Sequence, residues 1–439
     1  MGPPVDPVTS DARLPAEADV VIIGGGIIGV CAALHLVRKG VTVVLCEKGT
    51  IAGEQSGRNW GWVRKLDRDP REIPLIVESL RQWERMNETI GDDTGFRAAG
   101  IAFAADGEAD IARHEAWLEQ ARPYQIDARM ISGAELDRHV PGASGRWKTA
   151  LFCPTDGRAE PQMAAPAMAR AARRAGATIL TGCAVRGLER SGGRVSAVVT
   201  ERGRIRTTTA VLAGGAWSRR FLRDLDVSLP QLKVRSSVMR TAPLVGGPEA
   251  AFWFAGAAYR KRRDGGYTIA DGHVNVVPDS IRFLPQFWST FLNERKSLKL
   301  RLDGRFAREW TEARPVPLDR PSPYEATRVL DPAPDRAVNR AALRRLAAAF
   351  PAFAKAEVVQ EWAGMIDVTP DAVPVISPVD AVPGLIVATG FSGHGFGIGP
   401  GAGRLVADLV TGAAPVVDPH DFRLSRFSDG SKRRVLSGL

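Results

Sequence analysis

Cysteine is scarce in this chain. Cys31, Cys46, Cys153 and Cys183 are the four in 439 residues, and none stand in the Cys-x-x-Cys spacing of a zinc or redox centre. A disulfide scaffold is thereby excluded, and the scarcity fits a reducing, cytoplasmic setting. Also lacking is an uninterrupted apolar run of bilayer length. The longest apolar stretch, residues 20–37, carries glycines and His35 and is approached through Glu17 and Asp19, unlike a transmembrane segment or signal sequence. There is no internal repeat and no low-complexity tract beyond the ends, so one interleaved body of two or three domains is expected. The formal charge is +10, yet acids are interleaved almost throughout. That pattern fits a solvated basic surface favouring anionic partners and gives no nucleic-acid footprint. Neither a hydrolase elbow nor a metal-ligand cluster is present, so no metal is expected.

What is present begins after a Pro- and Asp-rich leader, residues 1–18, expected to be loose. An apolar run, 20–23, feeds Gly24, Gly26 and Gly29, the GxGxxG pattern at the mouth of a helix over 30–39 that stops at Gly40. Gly24 permits a sharp turn, Gly26 lets backbone approach a pyrophosphate, and Gly29 lets the helix pack on the strand. A second β-rich run over 41–46 ends at Glu47, placed to accept hydrogen bonds from ribose hydroxyls. Ile27, Ile28 and Lys48 flank these positions and complete the expected contact set.

From Ser56 the pattern is turn-rich, then helical over about 73–87, then less regular to about 141. A second α/β block follows, with a helix opened by Pro161 and closed by Gly176, and a short apolar run, 210–215, ending in glycines. Residues 259–272 predict a hairpin around Asp264, Gly265 and Gly266, and residues 339–350 an amphipathic helix stopped by Pro351. The basic, aromatic-bearing stretch 281–300 suits a helix over the second domain's sheet, or a membrane or partner contact. Near the end, a β run from 385 leads into glycines at 390, 393, 395, 397, 399, 401 and 403, more than packing alone requires, and then a helix. A second glycine-rich helix start aimed at the same ligand implies a long cofactor, as FAD is.

Six motifs in order, GGGIIG, SGRNWG, DGRAEP, AGGAWS, WAGMIDVTPDAVPVIS and GFSGHGFGIGPGAG, resemble the FAD-dependent D-amino acid oxidase superfamily. Glycine oxidase, sarcosine oxidases and bacterial D-amino acid dehydrogenases belong to it, and the likeness in motifs is nearest to the sarcosine oxidase β subunit. The resemblance covers residues 19–412. It implies an α/β plus α+β fold: a discontinuous Rossmann-like FAD-binding domain over 19–92, 150–235 and 360–420, and an antiparallel-sheet substrate domain over 93–149 and 236–359. A C-terminal tail occupies 421–439.

Carried over by position, the resemblance puts Ser56, Gly57, Arg58 and Asn59 along the pyrophosphate and flavin, with a surface arginine as the alternative for Arg58. It puts Val185 at the adenine. Gly214, Gly215, Trp217 and Gly364 fall beside the cofactor, and Gly390, Ser392, Gly393, His394, Gly395, Phe396 and Gly397 edge the ring system. It also implies oxidation of an amine or amino acid to an imine by hydride transfer to flavin. Two departures stand out. Met365, Ile366 and Asp367 replace the arginine that clamps a substrate carboxylate in amino acid oxidases of the family. Gly397 replaces the lysine, and Gly364 the flavin-linking cysteine, of monomeric sarcosine oxidases. Noncovalent FAD is therefore expected.

The expected substrate is an amine, secondary amine or N-substituted amino acid, with oxygen or a quinone as electron acceptor. The alternatives are a D-amino acid enzyme, a 2-hydroxy acid oxidoreductase, and a flavin-bearing subunit dependent on partner chains. Oligomerisation is left open. Arg64 is the candidate for a substrate carboxylate; Arg260 and Lys261 are weaker substitutes, with solvated hairpin charges as the alternative. Asp367 either attracts a cationic amine or stabilises a turn, and His394 either polarises the flavin or is structurally satisfied. Trp60 and Trp62 wall the cavity or fill the core.

Overall fold

The computed structural model describes residues 1–143, 145–277, 286–288, 298–300 and 315–431. Most of the stretch 281–300 and the last residues of the tail lie outside these. Val20–Ile23, four β-branched residues buried on both faces, occupies the interior of a six-stranded sheet. Its neighbours are Thr209–Leu212 and Val43–Cys46, both parallel to it. Leu385–Thr389 and Thr178–Leu180 extend the sheet in parallel, and Val375–Pro378 closes one edge antiparallel. Continuous apolar strands of this kind need cover on both faces. One side receives the helices Ile27–Arg38, Pro161–Arg174 and Gly395–Thr411. The other packs against a three-stranded antiparallel ribbon that includes Val185–Ser191 and Arg194–Thr200.

Glycine sets how closely two of these helices approach. A Cβ at Gly403 would stand 2.4 Å from the Cβ of Cys31, and one at Gly399 2.9 Å from Ile27. The helix Ile73–Ile90 joins this layer through Ile76, Leu80, Trp83 and Met86, spaced three or four apart, and ends at Gly91 with φ 60°. Glycines 399, 401 and 403 therefore act in packing, while of the run Gly393 and Gly395 line the cavity.

A second, larger sheet runs Val358–Val368, Leu232–Thr241, Tyr267–Val277, Ala257–Lys261, Ala251–Phe254, Ile101–Ala105, Thr149–Cys153 and Arg129–Ser132. It is antiparallel apart from two parallel pairings, Ile101–Ala105 with Ala251–Phe254 and Tyr267–Val277 with Leu298–Leu300. The expected hairpin closes where the Arg262 amide donates to the Gly266 carbonyl at 2.7 Å. The helix Arg336–Ala349 lays Leu346 on this sheet and ends before Pro351. Region 93–141 is more regular than expected, holding the helix Glu108–Ala121.

Three expected boundaries fall inside strands: Thr149–Cys153, Leu232–Thr241 and Val358–Val368 all run in the large sheet. Nor is the leader loose. Asp11 accepts from Arg173 and from the Ile179 amide, while Val5 and Val8 reach the core, so local polarity misled where long-range pairing decides. The described part of the tail is likewise docked, with Arg426 reaching both carboxylate oxygens of buried Asp371.

Arg260 is neither a solvated hairpin charge nor a substrate clamp. It is 1% exposed and paired with both oxygens of Glu160 at 2.7 and 3.2 Å. Lys261 pairs with Glu249. Breaking a buried pair strands its partner. Glu160→Ala is expected to cost about 3–5 kcal/mol in chemical denaturation, and Glu160→Leu with Arg260→Met to recover much of that loss.

Candidate functional site

An elongated cavity of about 280 Å³ runs between the two sheets, from the ends of the strands Val20–Ile23 and Val43–Cys46 to Trp60, Trp62 and Val238. At its nucleotide end the chain turns at Gly24, φ 112°, where a Cβ would stand 2.4 Å from the Ala213 carbonyl oxygen. A Cβ at Gly29 would lie 2.1 Å from the Gly24 oxygen, so the helix Ile27–Arg38 sits directly on the turn. Its first turn holds no acidic residue, leaving the positive helix end available to phosphate. The Ile27 amide donates to the Ser56 hydroxyl at 2.9 Å.

Glu47 accepts from the Gly25 and Gly49 amides, each at 2.7 Å. Burial nevertheless holds its carboxyl above the usual range. Beside it, Glu54 accepts from Lys48 Nζ at 2.7 Å, the Leu330 amide at 3.0 Å and Trp217 Nε1 at 3.1 Å. Lys48 stands 4.5 Å over the Trp217 ring. Val185, Tyr324 and Arg328 complete this end.

Asp367, on the Val358–Val368 strand, faces the ends of the six-stranded sheet. Its Oδ2 accepts from the Gly390 amide at 2.6 Å, the Thr389 hydroxyl at 2.9 Å and Gln231 Nε2 at 3.0 Å. Its carbonyl accepts from the Ser392 amide at 2.9 Å. The loop so held contains Gly390, Ser392 and Gly393 at φ 72°, 50° and 83°. Asp367 is 2% exposed, and burial raises its pKa against these hydrogen bonds. Of the two alternatives, amine attraction and turn stabilisation, these bonds are those of the second: Oδ2 is committed to Gly390, Thr389 and Gln231.

At the opposite end, Arg64, Arg68 and His394 line the cavity, with Glu72 behind them. His394 Nδ1 lies 2.9 Å from Glu72 Oε2, and the two residues are 3% and 0% exposed. Burial, with Arg68 next, pushes the His394 pKa down. Burial would raise Glu72, but His394, Arg68 and Arg64 outweigh it and hold the carboxyl low. The pair is thus an ionised carboxylate accepting from a neutral imidazole. Burial pushes Arg68 down to about 9. Arg68 donates through Nε to the Arg64 carbonyl at 3.3 Å, and its Nη1 has no partner among the described residues. Arg64 donates to the Leu66 carbonyl and lies 5.3 Å over the Phe103 ring.

The expected site residues thus meet in one place, with exceptions. Gly29, Gly57, Gly390 and Gly397 lie behind the cavity wall, where a Cβ would meet Gly24, Ala52, Thr369 and Val63 respectively. Arg58 reaches the cavity wall, but its guanidinium donates to Asp331 at 2.7 Å and to the Gly53 and Ala363 carbonyls at 3.0 Å, so it is a buried tie between segments and not a surface arginine. Asn59 caps its own turn, donating to the Ser56 carbonyl. Trp60 and Trp62 prove to be both wall and packing, with Trp60 stacked on Trp253 at 5.8 Å. Sequence reasoning missed Glu54, Gln55, Arg68, Glu72 and Gln231. For Arg68 and Glu72 the only signal was charge alternation in the turn-rich segment.

The chain belongs to the FAD-dependent oxidoreductase family, whose model matches residues 19–409. The structure of L-amino acid deaminase from Proteus myxofaciens in complex with anthranilate superposes with a TM-score of 0.94 and 35% identity, covering 98% of this chain and 97% of that one. Glycine oxidase of Pseudomonas aeruginosa is 26% identical, over 91% of this chain and 96% of its own length. Sarcosine oxidase subunit beta of Arthrobacter sp is 25% identical, over 94% and 91%. Of the mitochondrial sarcosine dehydrogenase of Mus musculus, 25% identical, this chain spans 43%. FAD is the family's cofactor, and the residues fit it: the two glycine-bearing turns open on one cavity, with an acid-free helix start at one of them.

Asp367→Ala strands three donors, and the expected result is weakened flavin retention on gel filtration; Asp367→Asn, which keeps one acceptor oxygen, is expected to retain more. A second outcome concerns pH. The folded pKa of His394 lies below its usual 6.5, so as pH falls the unfolded chain takes up the proton first. The stability due to the neutral imidazole is fully present above 6.5 and is lost as pH falls from there towards the depressed folded value. Glu72, held below 4.5, acts in the same sense at lower pH. His394→Asn is expected to flatten the stability profile just below pH 6.5 in denaturation series.

Proposed function

We propose that this protein oxidises the C–N bond of a carboxylate-bearing amine, an α-amino acid or N-substituted amino acid, to an imine that water hydrolyses. One observation carries the proposal: two arginines and one ionised glutamate line or back the end of the cavity remote from the nucleotide turns, with a guanidinium nitrogen of Arg68 unpartnered. The unpartnered Nη1 of Arg68 leaves a charged donor at this end suited to one substrate carboxylate. Arg64 and Arg68 thereby supply the recognition whose absence at 365–367 pointed away from free amino acids. The same charge lowers the pKa of a bound substrate's amine, favouring the neutral form. FAD, when bound, supplies the hydride acceptor. Trp60 and Trp62 exclude water from that end, while Asp367 fixes the loop beside the ring.

The likeness to an L-amino acid deaminase supports L-amino acids as the first substrates to examine, and the likeness to glycine and sarcosine enzymes supports N-alkyl glycines as the second. Electrons then pass to oxygen or a quinone. The likeness to a sarcosine oxidase subunit supports assembly with further chains. The four buried, unbridged cysteines suit a cytoplasmic location, and no helix among the described residues is long and apolar enough to cross a membrane.

The test is anaerobic mixing of the yellow protein with panels of L- and D-amino acids, N-alkyl glycines, simple amines and 2-hydroxy acids. Bleaching by amino acids but not by hydroxy acids or carboxylate-free amines is expected; bleaching by the carboxylate-free amines alone would sink the proposal. Arg68→Ala is expected to raise KM about 10- to 100-fold, as loss of a charge-assisted contact does, with a smaller effect on kcat.

A further inference from the structure

A second cavity, about 330 Å³, opens on the outer face of the helical layer, away from the flavin site. Its floor is apolar, Leu34 and Met86, and its walls are basic: Arg38, Arg81, Arg85 and Arg404, with His35. Helical periodicity builds it. Leu34 and Arg38 are four apart on the Ile27–Arg38 helix, and Arg81 and Arg85 are four apart on Ile73–Ile90. Arg404 comes from Gly395–Thr411. Three helices distant in sequence thus turn arginines to one cleft.

Few of these charges are spent within the protein. Glu78 accepts from Arg404 at 2.7 Å and lies 3.9 Å from Arg81. Arg38 donates to the neutral Thr89 carbonyl at 2.9 Å. No hydrogen bond or ion pair engages Arg85 among the described residues. Asp408 is paired with Lys39. Burial, then Arg38 and Arg404, push the His35 pKa down, although its bond to Gln82 opposes this. Four guanidiniums gathered over one carboxylate repel one another, and an arrangement of that kind is stabilised by a ligand carrying several negative charges. The concavity, walled by arginines from three helices, favours a compact ligand over an extended surface.

We propose that this cleft binds a small polyanion, a phosphate- or polycarboxylate-bearing metabolite, at a site separate from the flavin and substrate cavity. All three helices begin at or next to the flavin site, at Gly26, Glu72 and His394, so the ligand bridges elements that carry the cofactor.

The experiment is calorimetric titration of FAD-saturated protein at low ionic strength with two probes, pyrophosphate and citrate. Saturable binding of at least one is expected, and which one binds assigns the ligand to phosphate or polycarboxylate chemistry. Arg81→Ala/Arg85→Ala is expected to weaken it about tenfold or more, and Arg81→Gln/Arg85→Gln likewise, each with an unchanged flavin spectrum. The distant pair Arg113→Ala/Arg122→Ala is expected to leave binding intact. Absence of saturable binding with both probes, retention of parental affinity in both cleft variants, or an equal loss in the distant pair overturns the proposal.

Discussion

The structure depends first on the carboxylate of Asp367. It sits on a strand of the large sheet, yet its hydrogen-bond partners are the end of a strand in the other sheet, the loop that follows it, and Gln231 just before the Leu232–Thr241 strand. A buried carboxylate costs free energy unless its lone pairs are filled, and here three donors fill one oxygen. The two sheets can therefore close on the cavity in one registration only. Any slip of the Val358–Val368 strand would leave both the carboxylate and the Gly390 amide without partners. The left-handed turns at Gly390, Ser392 and Gly393 are held by this closure, together with the bond from the Ser392 amide to the Asp367 carbonyl.

From that closure follows the separation of charge along the cavity. The nucleotide end mixes a positive helix start with the carboxylates of Glu47 and Glu54, the latter answered by Lys48. The other end carries Arg64 and Arg68, offset in part by Glu72, Asp156 and Asp67. A neutral His394 keeps that balance from shifting further near neutral pH, because burial and the arginines both disfavour its protonation. Anionic ligand groups are thus received at both ends, phosphate at the helix start and carboxylate at the arginines.

Much of the nucleotide half was legible in the sequence. Strand, Gly24, Gly26, Gly29, helix and Glu47 form a local pattern whose members lie within thirty residues of one another, and spacing alone brings them together. The loop from Gly390 was legible for the same reason, although its later glycines turned out to seat one helix on another. The substrate end was not. Glu72 meets His394 across 322 residues, and Gln231 meets Asp367 across 136. No local period encodes such meetings. Nothing local singles out Arg68, because its unpartnered Nη1 exists only once the cavity has formed. The docking of residues 1–18 was hidden in the same way, since Asp11 finds Arg173 only after the Pro161–Arg174 helix is in place.

The same long-range logic explains why glycine dominates this chain's critical positions without making them flexible. At Gly403 and Gly399 the absent side chain lets the Gly395–Thr411 helix lie against Ile27–Arg38, and this contact aligns the start of one helix with the glycine turn that opens the other. A larger residue at either place would move the His394 end relative to the Gly26 end by roughly the width of the added group, because packed interiors transmit such shifts with little loss. Cofactor geometry is therefore set partly by residues that never reach the cavity, and the glycine count near the C-terminus reflects this second demand as much as the first.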